Sequence, residues 1–180
     1  MLPITIPAKE LYDEVKDEFV VQKEQKLVLE HSLLSLSKWE AETHKPFLTK
    51  EEKTIPEMIA YIRCMTLTPN VNPDVYSRID DNILTEVLNY IQDSRTATWF
   101  SKTTQTKPSR ETITSELIYF WMVHHGIPFE CQKWHLNRLF TLIRICNEKN
   151  AQPKKMNKRE LAARNHSLNA ARRKRMHTKG

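Results

Sequence analysis

Glycine occurs twice in 180 residues, at Gly126 and Gly180. Average usage is about 7%, so this chain has almost none of the residue that supplies positive-φ turns, bulges and close backbone approaches. Phosphate cradles of the G-x-G-x-x-G or Walker type cannot be written, and glycine-turned sandwiches and barrels are disfavoured. The longest apolar run is far short of the roughly 18 residues needed to span a bilayer. No basic n-region followed by an apolar h-region opens the chain, so no secretory signal is read. Cys64, Cys131 and Cys146 are odd in number and widely spaced, which reads as reduced thiols in a cytosol. The expectation is a mainly α protein.

The net charge of +6 conceals a division. From Pro153 onward ten Lys or Arg face one acid, Glu160, giving +9 in 28 residues, while the preceding 152 residues carry −3. A mildly acidic body bears a strongly basic tail, and the isoelectric point describes the tail.

Along the chain, Leu2–Ile6 is apolar and bracketed by Pro3 and Pro7, an edge strand or extended arm. Charges alternate densely between Lys9 and Lys26, where helix and hairpin both stay open. Lys26–His31 alternates as a strand does, and from Ser32 to Glu42 Leu33, Leu36 and Trp39 recur at helical spacing. Thr54-Ile55-Pro56-Glu57 is a capped helix start with proline in its first turn. Asn72-Pro73-Asp74 repeats that signal, and Asp80 or Asp81 caps a helix through Ile83, Val87 and Ile91. Ser101–Ser109 is polar and reads as a linker or loop. Ser109 is expected to open the next helix, through Ile113, Leu117, Ile118, Trp121 and Met122. Gly126 then stands at a left-handed stop, with Pro128 after it. A further helix is expected from about Phe129 to Asn147, making a central αα-hairpin that forms the core. After Pro153 only Leu161 and Leu168 offer apolar anchors in a segment of helix formers, so a nascent helix or a flexible tail is expected. The domain reading is a β or extended element with a first helix over 1–48, a helical core over 49–152 and a basic tail over 153–180.

Chemistry-bearing clusters are few. His124, His125, Cys131 and His135 fall within twelve residues, with Cys131 and His135 expected on one helix face. Their spacing matches no zinc-finger pattern, and no orienting acid accompanies a Cys131–His135 pair as nucleophile and base. Asp13-Glu14, Asp17-Glu18 and Asp80-Asp81 read as solvated faces and a helix cap. No catalytic, metal or cofactor residue is assigned, and no enzyme is expected. Of the tryptophans, Trp121 and Trp134 belong with the core, and Trp99, beside Phe100, is the candidate for a partner surface. The tail's Lys154, Lys155, Lys158, Arg159, Arg164, Arg172, Arg173, Lys174 and Arg175 could neutralise phosphates or dock on an acidic protein and fold there. The tail has no aromatic residue, so stacking on bases is not part of either reading.

Several blocks of the chain resemble a family of small tailed-bacteriophage proteins, the tail assembly chaperones. They are Leu36-Ser37-Lys38-Trp39-Glu40 with Lys45-Pro46-Phe47-Leu48, Tyr61-Ile62-Arg63-Cys64-Met65-Thr66, Thr98-Trp99-Phe100-Ser101 and Glu116-Leu117-Ile118-Tyr119. The resemblance is strongest in Pro128-Phe129-Glu130-Cys131-Gln132 with Trp134-His135-Leu136-Asn137-Arg138-Leu139, and it extends over Lys154-Lys155-Met156 to Asn169. It implies a non-enzymatic role in the host cytoplasm, binding the phage tape-measure protein or other tail proteins before the tail tube polymerises. Alternatives are a virion structural or connector protein and a nucleic-acid-binding protein acting through the basic tail. No membrane partner is expected, and a homo-oligomer is compatible with every reading.

Overall fold

The computed structural model describes residues 1–13, 17–100, 111–150 and 158–177. The polar linker read at Ser101–Ser109 lies outside them, as do Lys154 and Lys155. The chain forms two compact units, Met1–Cys146 and Asn147–Gly180. It is mainly α, and among the described residues its four strands all lie at the start.

Four strands open the first unit: β1 (Leu2–Ile6), β2 (Lys9–Asp13), β3 (Glu18–Gln22) and β4 (Gln25–Leu29). β1 pairs antiparallel with β4 and β2 with β3. The register runs from Leu2↔Leu29 to Ile6↔Gln25, then from Lys9↔Gln22 to Asp13↔Glu18. Pro7-Ala8 and Lys23-Glu24 intervene equally on the two sides, so the pairing carries through without a slip. The alternation between Lys9 and Lys26 thus resolves as hairpin. At the interruption, where Pro7 has no N–H to give, the Arg78 guanidinium donates to the carbonyls of Pro7 at 2.9 Å and Lys23 at 3.2 Å.

One face of the β1–β4 pair, Ile4, Ile6, Leu27 and Leu29, is buried. The same face continues outward on β2–β3 as Tyr12, Phe19 and Val21, all exposed, with the Tyr12 and Phe19 rings packed across the strands. A two-stranded hairpin alone is marginal, and the β1–β4 half gains its stability from the helices beneath it.

Helix α1 (Leu33–Thr43) begins at Ser32, whose side chain accepts from the Ser35 N–H while Ser35 Oγ accepts from the Ser32 N–H at 2.8 Å. This reciprocal cap satisfies two otherwise orphaned donors. Helix α2 (Ile55–Met65) has the capping box read from Thr54 and Glu57, with Pro56 in the first turn. A 3-10 turn over Pro73–Arg78 follows from Asn72, and α3 (Asp81–Gln92) is capped by Asp80, whose carboxylate accepts from Ile83 N at 2.8 Å.

Helix α4 (Ser115–His124) starts later than the sequence suggests: Thr114, not Ser109, is the capping position, and its side chain makes no capping bond. Glu40 of α1 supplies the acceptor instead, its Oε2 taking the Ser115 N–H at 2.7 Å and its Oε1 the Phe47 N–H at 3.0 Å. A buried carboxylate at a helix N-terminus is also favoured by the helix dipole.

Gly126 has φ +63° and ends α4 in the left-handed region, where a side chain would be strained. The chain does not then re-enter one long helix. Phe129–Lys133 is a 3-10 turn, His135 pairs with Ser32 in an isolated bridge, and α5 (Leu136–Asn150) follows. The Leu136 N–H donates to the His31 carbonyl at 2.7 Å, so this break stitches the second half of the chain to the end of β4. Cys131 and His135 therefore do not share a helix.

Two apolar cores result. The first joins the inner face of β1–β4 with Trp39, Tyr61, Ile62 and Met65, the 3-10 turn around Val75 and Tyr76, and the α3 face of Ile83, Val87 and Tyr90. The second joins Leu33 and Leu36 with Ile118, Met122, Ile127, Cys131, Leu136, Leu139 and Ile143. The α4–α5 pair supplies only this second core, so it is not the whole core that sequence periodicity suggests. Helix α1 contributes to both. Phe47 reaches both as well, stacked on Tyr61 with centroids 3.9 Å apart and edge-on to Trp39 at 5.1 Å.

In the second unit α6 spans Lys158–Met176. The nascent helix expected there thereby has a definite extent, and its described side chains are exposed. Among the described residues no helix is long and apolar enough to cross a membrane.

Candidate functional surfaces

The buried histidines, their tyrosine partners and Glu30 are engaged in holding the first unit together. His31 Nδ1 shares a 2.6 Å hydrogen bond with the Tyr61 hydroxyl, and His135 Nε2 lies 3.0 Å from the Tyr90 carbonyl. The two imidazoles meet edge to face, 5.1 Å between centroids. The Tyr90 hydroxyl donates to Glu30 Oε1 at 2.6 Å, and the N-terminal ammonium sits 2.8 Å from Glu30 Oε2. Burial, with the neighbouring His135, pushes His31 down to about 3; burial also lowers His135 against the opposing pull of the Tyr90 carbonyl and Glu30. Both imidazoles are neutral near pH 7, and burial keeps the Tyr61 and Tyr90 hydroxyls protonated.

The His124, His125, Cys131 and His135 group is dispersed by the fold. His124 stacks on Phe120 with centroids 6.0 Å apart, Cys131 is buried in the second core, and His135 faces His31 and Tyr90. Burial raises the Cys131 and Cys64 thiols above their ordinary value, which disfavours the nucleophilic thiolate. Asp80 is the helix cap that the sequence suggests, and among the described residues no three His, Cys, Asp or Glu side chains converge on a metal-sized site.

The surface carries three features instead. Trp99 is 93% exposed on the irregular segment after α3. Phe100 beside it is half-buried, with the Arg144 guanidinium 3.8 Å from its ring centroid. Thr96, Thr98, Trp99, Phe100, Phe140 and Arg144 border a shallow cleft of about 370 Å³ there.

The second feature is the outer face of α4, which periodicity does not single out because the helix is apolar on every side. Ser-Glu-Leu-Ile-Tyr-Phe-Trp-Met-Val-His offers only Glu116 and His124 as titratable groups besides Tyr119. Such a helix is ordinarily enclosed on all sides. Here Ile118 and Met122 enter the second core, while Phe120 is 61% exposed, Val123 63% and Phe129, just beyond the turn, 55%. Tyr119 stiffens this band: its hydroxyl donates to Gln132 Oε1 at 2.9 Å, and its ring lies 6.3 Å from that of Phe129. Trp121 and Trp134 are half-buried against the second core, and Arg138 covers Trp134 at 4.2 Å.

The third is α6, which carries Lys158, Arg159, Arg164, Arg172, Arg173, Lys174 and Arg175. Its last turn is basic, in favourable alignment with the helix dipole. Trp99 and Phe100 belong to one unit and the basic helix to the other.

Comparison of the chain with protein-family models, curated proteins and solved structures finds no match.

Proposed function

We propose that this protein is a non-enzymatic tail assembly chaperone of a tailed bacteriophage, holding the tape-measure protein in the host cytoplasm before the tube polymerises. The bare apolar side chains of Phe120 and Val123 on α4, with Phe129 just beyond its end, carry the reading. A tape-measure protein is a long helical chain with apolar stripes that aggregate if left uncovered. A rigid, nearly uncharged helix face suits such a stripe, giving van der Waals contact and burial without demanding a matched charge. The resemblance to the tail chaperone family over the blocks quoted above points the same way.

The test is co-expression with the tape-measure protein of the same phage, followed by nuclease treatment, a high-salt wash and pull-down. Soluble tape-measure protein is expected to co-purify with the chain, and the paired Phe120→Asp and Val123→Asp substitutions are expected to reduce its recovery about tenfold or more. A tape-measure protein equally soluble without this partner, and not retained by it, overturns the proposal. Recovery of the chain at fixed copy number in finished particles overturns it in favour of a structural connector.

A further inference from the structure

The second unit carries an observation independent of the chaperone reading. In α6 Leu161 and Leu168 stand seven residues apart, 46% and 55% exposed. At about 100° per residue they lie within about 20° of each other around the helix axis, roughly 10 Å apart along it. Arg164 falls about 40–60° to one side of this seam, Arg172 about 40° to the other, and Arg175 continues the seam one heptad beyond Leu168. Ala171 keeps the surface low beside them. Two apolar knobs at heptad spacing flanked by cations on both sides form half of a coiled-coil-like contact.

The composition of the helix selects the occupant. A second α6 is repelled, since Lys158–Met176 carries seven bases and one acid. An anionic bilayer asks for a broad apolar face, and two leucines do not provide one. Single-stranded nucleic acid is held by aromatic stacking, and α6 has no aromatic ring besides His166. Phosphate neutralisation uses the arginines but leaves both leucines without a role. An acidic amphipathic helix uses both: its apolar stripe takes Leu161 and Leu168, a carboxylate on its flank meets Arg172, and one just past the end of the stripe meets Arg175.

The geometry points to α6 as a docking helix for an acidic amphipathic helix of a partner protein, seated on the Leu161–Leu168 seam and clamped by Arg172 and Arg175. Helical order in the segment then deepens on binding, because the described side chains of α6 form no buried face and most helical stability comes from packing such a face.

The test uses the full chain and fluorescence anisotropy with three probes: a 21-residue peptide with Leu at heptad a and d and Glu at e and g, a scrambled peptide of the same composition, and a 20-base-pair DNA duplex. The patterned peptide is expected to bind at least about tenfold more tightly than the scrambled one. The pair Leu161→Gln and Leu168→Gln, which leaves every charge in place, is expected to remove that preference. The pair Arg172→Gln and Arg175→Gln is expected to weaken binding and flatten its salt dependence. Equal binding of the two peptides, or indifference to the leucine substitutions, overturns the proposal. Tighter binding of the duplex, insensitive to the leucines and steeply salt-dependent, overturns it in favour of nucleic acid. Both pairs lie outside the two cores of the first unit, and an unchanged thermal melt of that unit confirms that each variant protein is folded.

Discussion

At the residue scale the most consequential pair is His31 and His135, 2% and 7% exposed and uncharged. Asp93, Arg95 and Glu30 surround His135, and its carbonyl partner is that of Tyr90. Each imidazole has a folded-state pKa below its unfolded value of about 6.5. Below that pH the unfolded chain takes up protons that the folded chain refuses, so stability is complete above about pH 6.5 and declines as the pH falls. Each such histidine adds up to about 1.4 kcal/mol per pH unit to that decline. Melting curves between pH 8 and pH 5 are expected to show the loss beginning near 6.5, and His135→Gln to make the slope shallower. An unchanged slope in the variant would mean that these imidazoles are not the groups that titrate.

At the element scale Glu40 explains a boundary that local signals misplace. Ser109 has the chemistry of a capping residue, and Thr114 makes no side-chain cap, yet α4 begins after Thr114. The deciding acceptor lies 75 residues earlier in the chain, on α1, where no local pattern can reveal it. Removing it in Glu40→Ala leaves the N–H groups of Phe47 and Ser115 without their partner. The expected cost is about 2–4 kcal/mol, with Glu40→Gln losing less because its carbonyl oxygen serves one of them. Urea unfolding measures both, and a loss under about 0.5 kcal/mol for Glu40→Ala would show that water replaces the carboxylate.

Thr54-Pro56-Glu57, Asp80 and Gly126 announce their helix ends because each acts on its immediate neighbours. The break before α5 was hidden because it serves a bridge to Ser32, a hundred residues away in the chain. The β2–β3 hairpin was ambiguous because its alternating charges fit either period. Trp99 stands out in the sequence because, unlike Trp121 and Trp134, it lies outside the apolar helical segments. Phe120 and Val123 were missed because a helix apolar on every side gives no contrast between its faces.

At the scale of the whole molecule, charge and packing divide at nearly the same place. Both cores are built from residues up to Cys146, whereas the excess positive charge lies after Pro153. A chain ending at residue 152 carries −3 and is expected to pass through a cation exchanger at pH 7 that retains the full chain. Its melting temperature is expected to stay within about 2 °C, because every residue of the two apolar cores is still present. A larger fall would mean that the basic segment contributes to the body's stability.

The order in which the two cores are written along the chain sets a schedule for synthesis. The first draws on residues up to Ile91; the second needs Leu33 and Leu36 early but cannot close until Ile143 has emerged. About 50 residues separate those events, or about 3–10 s at 5–20 residues per second. Through that interval the nascent chain holds a finished half beside a helix whose other side is still bare, and a trigger-factor-like holdase would find its binding window there. Slowing translation between codons 92 and 143 would lengthen that window without altering a single contact of the finished molecule.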